Sequence, residues 1–223
     1  MVNLTEVRNE IKNHAPSVEL MAVSKTHPYE AVLECYELGQ RLFGENRVQE
    51  IAEKFPPKAE RPEGMYVALI GHLQSNKVKK VLPLVDRIDS VDSVSLMDKL
   101  EKELASTDRV FDILLEVNAS GEEQKSGFES DEDVFRAVKH LAEVPHLNLM
   151  GLMTVGPLGN DSDANIRCFS HVKQLYDKIR DEYGIPLSVL SMGMSGDWKE
   201  ACECGSTEVR IGTAIFGKRS YDV

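Results

Sequence analysis

Apolar positions along this chain change period repeatedly, from the three-to-four spacing of helices to short continuous runs and back. Leu4, Val7 and Ile11 share one face of a helix predicted over residues 3–12, and Asn3 and Glu6 suit a capping arrangement at its start. The apolar run 20–23 reads as a buried strand that delivers Lys25 at its carboxyl end. A helix over 28–38 follows, opened by Pro28 and stopped by Gly39. Further strands are predicted at 41–43, 65–70, 87–89, 111–117, 147–152, 187–190 and 208–211. Helices fall between them: at 48–54, at 75–82, along Leu96, Leu100 and Leu104, along Val134, Val138 and Leu141 behind Ser130 and Asp133, along Phe169, Val172, Tyr176 and Ile179, and at 197–204.

Eight strands that alternate with helices predict an α/β chain closed into a single (β/α)8 TIM barrel. The expected domain covers residues 1–223, with an extra N-terminal helix within 1–14 packing on the barrel. A doubly wound open sheet shares the alternation, but it normally carries a glycine-rich turn after its first strand. Here that turn is Ser24-Lys25-Thr26-His27-Pro28, without glycine. The Pro-rich and charged stretch 55–64 reads as a loop rather than a linker, because the strand-helix rhythm resumes beyond it.

Composition narrows the function classes. With 223 residues, 42% of them hydrophobic, the chain can bury a substantial core. A formal charge of -11 argues against nucleic acid or an anionic membrane as partner. Lys77, Lys79 and Lys80 form a local basic group, read as a solvated helix face because no aromatic residues are interleaved for stacking. No window approaches the ~20 apolar residues of a membrane span, and residues 1–14 hold no continuous apolar run, so the expected location is cytoplasmic. Cys35, Cys168, Cys202 and Cys204 lack the spacing of a zinc or redox pair and are expected as thiols.

The candidate chemistry gathers where the barrel closes. Strand 8 would neighbour strands 1 and 7, bringing Lys25, Ser195-Gly196 and Gly212-Thr213 into one patch at the carboxyl ends of the strands. Loops in that position recurrently bind phosphate, since helix N-termini present unpaired N–H groups there. Gly196, Gly212 and Thr213 could offer backbone donors, and Ser195 and Thr213 hydroxyls; alternatively the glycines only permit tight turns. Lys25 could pair with the phosphate, form a Schiff base with an aldehyde, or stand as a solvated strand cap. Arg210, two residues before Gly212, would face an acceptor, because an unpartnered guanidinium in a barrel mouth is costly.

The motifs AVSKTHP, FGENRVQE, GHLQSNK, GLMT, SMGMSGDW and EVRIGTAIFG together resemble the pyridoxal phosphate homeostasis protein family, relatives of the barrel domain of alanine racemase. The resemblance runs from about residue 20 to residue 219. It implies a fold type III pyridoxal-phosphate barrel, with pyridoxal 5'-phosphate held covalently on Lys25 as an internal aldimine. By the same resemblance Ser195, Gly196, Gly212 and Thr213 match phosphate-holding positions, and Arg210 matches the arginine facing the pyridine nitrogen. Asn46 and His72 match polar positions lining the pocket.

The implied role is a carrier acting in vitamin B6 and amino-acid homeostasis, without catalytic turnover, with cofactor-dependent apo-enzymes as recipients. Two enzymes remain as alternatives. A small amino-acid racemase would need acid-base groups on both faces of its substrate, yet no tyrosine is clearly placed at the pocket rim and no second β-rich domain follows the eighth barrel unit. A class I aldolase-like barrel also joins a Schiff-base lysine to a phosphate site, but its lysine usually lies later in the barrel than Lys25.

Overall fold

The computed structural model describes residues 2–107, 109–122, 124–159 and 161–217; the ends of the 1–223 domain expectation lie outside the described residues. Helix α1 (Leu4–His14) precedes the first unit, β1 (Glu19–Val23) with α2 (Tyr29–Glu37). Then follow β2 (Leu42–Glu45) with α3 (Val48–Lys54), β3 (Tyr66–Leu69) with α4 (Val78–Val81), and β4 (Arg87–Val91) with α5 (Val94–Leu104). The second half comprises β5 (Phe111–Glu116) with α6 (Asp131–His140), β6 (Leu147–Met153) with α7 (Ser162–Tyr183), β7 (Val189–Ser191) with α8 (Trp198–Glu203), and β8 (Glu208–Ile211) with α9 (Thr213–Phe216).

Each strand pairs in parallel with the next, and β8 returns to β1, closing the barrel in sequence order as expected. The closing register aligns Leu20 with Val209, Met21 with Arg210 and Ala22 with Ile211. Side chains alternate across each strand. Leu20, Ala22, Val209 and Ile211 face outward into the main core between barrel and helices, whereas Met21, Val23, Leu42 and Ala68 meet inside the barrel. The outer core takes its helix side from stripes such as Phe169, Val172, Leu175 and Ile179 of α7, each fully buried side chain contributing roughly 1.5–3 kcal/mol.

Local starts and stops follow their residue chemistry. Ser93, Ser130 and Asp161 cap α5, α6 and α7 by accepting the N–H groups of Leu96, Asp133 and Ala164, and Gly184 ends α7 in the left-handed conformation. The arrangement expected from Asn3 and Glu6 does not form. Asn3 makes no side-chain cap bond, and its backbone N–H instead donates to the Ile215 carbonyl at 2.8 Å, tying α1 to α9. The expected helix 75–82 is split into a 3₁₀ turn (Ser75–Lys77) and α4. Strand β7 starts two residues later than the apolar run suggests, because Leu187 N–H turns back on the Ile185 carbonyl and the Leu187 side chain packs in the outer core. Leu141 belongs to a short 3₁₀ turn after α6.

Candidate functional site

Alternation carries one row of β1 into the barrel: Met21 and Val23 point inward, and two residues on Lys25 reaches the same mouth. Lys25 is half-buried there, at the start of a strained turn. Thr26 has φ +65°, the left-handed region that a β-branched residue rarely adopts. A buried charge cluster holds it: Thr26 N–H donates to the Glu50 carboxylate, and Lys54 Nζ joins Glu50 (3.0 Å) and Glu45 (2.7 Å) while also donating to the Ser24 carbonyl (2.8 Å). Ser24 Oγ completes it by donating to Glu45. Burial pushes the Glu45 carboxyl above its ordinary range, and the charge and hydrogen bond of Lys54 work against that rise.

The opposite wall is built by β7 and β8. Arg210 is 3% exposed, and its Nη1 donates to the Ser191 carbonyl (2.7 Å) and Oγ (2.8 Å), while Nη2 donates to the Thr154 carbonyl (2.7 Å). Burial lowers its pKa, opposed by the more distant carboxylates of Glu208, Asp89, Asp197 and Glu116. Ser191 Oγ donates in turn to Glu208 (2.7 Å), which accepts from Arg87 of β4 (2.8 Å). Arg87 is also paired with Asp89 through Nε (2.6 Å) and Nη2 (2.8 Å). Gly193, with φ +93°, lets the chain after β7 turn tightly against Trp198. Asp197 then fixes the 194–197 turn by accepting the Met194 N–H.

These walls enclose a cavity of about 210 Å3 lined by Lys25, Arg210, Ser195, Gly196, Gly212 and Thr213, with Val23, Ile70, His27 and Met194 as its less polar parts. A Cβ on Gly196 would have nothing within 4 Å, so this loop leaves room beside its backbone. Gly212 lies against the Val23 carbonyl at the β8–β1 seam, and the first N–H groups of α9 after it have no intrahelical acceptor. His27 stacks on Phe216 with ring centroids 5.2 Å apart, joining the turn after β1 to the end of α9.

Six of the eight residues expected at the site therefore share one cavity. Asn46 stands just outside it, at the end of β2 and against Gly71, where a Cβ would meet the Asn46 carbonyl at 2.3 Å. Its Oδ1 is buried with no hydrogen-bond partner among the described residues. His72 is exposed and turned to Asp92, Nδ1 to Oδ2 at 2.9 Å, in a separate depression shared with Ser93 and Leu96. Sequence reasoning did not assign roles to Glu45, Glu50, Lys54, Ser191 and Glu208. The first two lie within the FGENRVQE motif and Ser191 opens SMGMSGDW, so the signal was present as motif without a partner to read it against.

Residues 3–220 match the family described as alanine racemase, N-terminal domain. A pyridoxal phosphate homeostasis protein of Aquifex aeolicus is 40% identical over 204 residues, covering 91% of this chain and 88% of that one. A human pyridoxal phosphate homeostasis protein is 40% identical over 217 residues, with 91% and 77% covered. The structure of PipY from Synechococcus elongatus with pyridoxal phosphate bound superimposes with a TM-score of 0.85 at 34% identity, covering 96% of this chain and all of that one. Alanine racemase of Clostridium difficile shares the fold, with a TM-score of 0.77 at 16% identity over 99% of this chain and 58% of its own.

Proposed function

This chain belongs to the pyridoxal phosphate homeostasis protein family, and from that premise we propose that it holds pyridoxal 5'-phosphate covalently on Lys25 and acts in vitamin B6 and amino-acid homeostasis without catalytic turnover. The observation that carries the reading is the convergence of Lys25 and Arg210 on one cavity whose remaining rim is Ser195, Gly196, Gly212 and Thr213. A primary amine, a guanidinium, two hydroxyls and an open backbone loop fit a ligand that joins an aldehyde to a phosphate and a ring nitrogen.

Bound there, the cofactor supplies a carbonyl carbon that primary amines attack and a conjugated ring. Lys25 provides the amine, and the Glu45–Lys54–Glu50 cluster fixes the turn from which it projects. Ser195 and Thr213 offer hydroxyls and the start of α9 offers N–H donors to the phosphate. Arg210 would hold the ring-nitrogen side of the cofactor. A guanidinium donates and does not accept, so beside it a ring nitrogen would be left unprotonated. Proton removal from an amino-acid α carbon would then be less favoured than in a site with an acidic partner at that nitrogen. Asn46 enters as a rim position through its unsatisfied Oδ1, whereas His72, paired with Asp92 in a separate depression, enters only as an outer position. Cofactor-dependent apo-enzymes are the recipients in this reading. It is placed in the cytoplasm, in keeping with four cysteines that are free thiols.

The test is the visible spectrum of the chain loaded with excess pyridoxal phosphate and desalted, beside Lys25→Ala. A visible absorbance band lost in a folded Lys25→Ala, with the borohydride-reduced adduct mapped to Lys25 by mass spectrometry, supports the site. An adduct elsewhere sinks it. Racemisation of L-alanine that is lost in Lys25→Ala would replace the carrier by an enzyme.

A further inference from the structure

Strand β5 sends Phe111, Ile113 and Leu115 outward to the helices, so Glu116 at its end points into the barrel mouth. There it meets a second depression, of about 240 Å3, completed by Asn118, Gln124, Lys125 and Ser126. Glu116 is 8% exposed, and its Oε2 has no hydrogen-bond partner among the described residues. A buried carboxylate oxygen left without a donor is costly unless something outside the chain supplies one.

Of the polar groups around it, Lys125 and Asn118 are already committed. Lys125 pairs with Glu122 (2.7 Å) and donates to the Gly156 carbonyl (2.7 Å) and Ser120 Oγ (3.2 Å). Asn118 Nδ2 donates to the Glu122 carbonyl at 2.9 Å, and its Oδ1 accepts from Ser120. Phe128 N–H closes the loop by donating to the Glu116 carbonyl at 2.8 Å, and Asn118 N–H answers to the Phe128 carbonyl. Because Lys125 is paired with Glu122, Glu116 is the carboxyl on this wall with no ion-pair partner among the described residues. Among the described residues no cluster of three His, Cys, Asp or Glu ligands occurs that could hold a divalent metal.

We propose that Glu116 anchors a second binding site, for a small primary ammonium group, whether of a simple amine or of a free amino acid. The ligand supplies both things that Oε2 lacks, a positive charge and an N–H donor. Three sets of charges face this carboxyl: Asp92 after β4, Arg210 from β8, and the Lys125–Glu122 pair of its own loop. Burial, and then Asp92, push it up to about 7, against the pull of Arg210, so the site changes state near neutral pH.

The test uses the full-length Lys25→Ala chain, where no covalent chemistry with the cofactor can contribute, so its failure leaves the cofactor reading untouched. Ethylammonium, L-alanine and tetramethylammonium are titrated by calorimetry in two buffers of different ionisation enthalpy. Ethylammonium should bind once per chain, about tenfold more weakly at pH 6 than at pH 8, releasing roughly half a proton at pH 7. Tetramethylammonium, which has the charge but no N–H, should bind at least about tenfold more weakly. L-Alanine binding more tightly than ethylammonium assigns the site to amino acids, and the reverse assigns it to simple amines. Glu116→Gln should lose the binding, as should Ser126→Leu, which fills the depression and leaves the carboxyl in place; circular dichroism verifies that both are folded. Absence of saturable ethylammonium binding, or binding unchanged in a folded Glu116→Gln or Ser126→Leu, overturns the proposal.

Discussion

Arg87 and Arg210 both project into the barrel and are nearly as buried as each other, at 4% and 3% exposed, yet their surroundings differ in kind. Arg87 is clamped by the carboxylates of Asp89 and Glu208. Arg210 is held by neutral oxygens, two of Ser191 and one of Thr154. Their acidities move in opposite directions: burial works against both charges, but adjacent acids raise Arg87 above its ordinary value, whereas Arg210 falls below it. A neutralised arginine is part of the frame. One fixed by neutral acceptors keeps its field for whatever occupies the cavity it lines.

Removing the clamped arginine should therefore have the largest effect. Arg87→Met strands Asp89 and Glu208 without a cation, and the expected loss is about 3–5 kcal/mol in urea denaturation at pH 7. A loss below about 1 kcal/mol would mean that the two acids take up protons at little cost and that the clamp is not structural.

Glu116, on the Arg210 side, gives the next effect, with a defined sign. Its carboxyl titrates near 7 in the folded chain against 4.5 in the ordinary range, so its contribution to stability is full below 4.5 and is lost as pH rises through 7. Glutamine has no charge to bury. Without added amine, Glu116→Gln should be more stable than the parent by about 3 kcal/mol at pH 8, from about 1.4 kcal/mol per unit, and nearly equal to it at pH 4. Thermal or urea denaturation at the two pH values measures this. An equal gain at both would assign the effect to packing.

Arg210→Met should change stability least, by about 1 kcal/mol, because the lost hydrogen bonds to neutral oxygens are offset by removing a buried charge. Its consequence should appear instead in cofactor retention, measured as absorbance remaining after desalting. A stability loss as large as that of Arg87→Met would erase the distinction between the two arginines.

Much of the architecture was legible from local pattern. The eight apolar runs and the helical faces between them stand as strands and helices, because burial on one face imposes its period on the chain. Errors gathered at ends, as at β7 and α1, where a single hydrogen bond from elsewhere decides where an element begins. Among site residues, Lys25, Ser195, Gly196, Arg210, Gly212 and Thr213 could be associated because strand order alone places β1, β7 and β8 side by side. Asn46 and His72 show the limit of that reasoning. A motif places a residue near a strand end but does not say whether its side chain turns to the mouth or to a neighbour such as Asp92.

The sequence by itself determined the alternation, the closed barrel it implies and the strand ends that line the candidate cavity, since these depend on periodicity and chain order. Only the tertiary structure decided which charges meet. Arg87 finds Glu208 across 121 positions of sequence, Lys54 gathers Glu45, Glu50 and the Ser24 carbonyl beneath the Lys25 turn, and Glu116 is left with an unmatched oxygen. The energies of buried charges depend on distances of a few ångströms between groups remote in the chain, and local pattern carries no record of those distances.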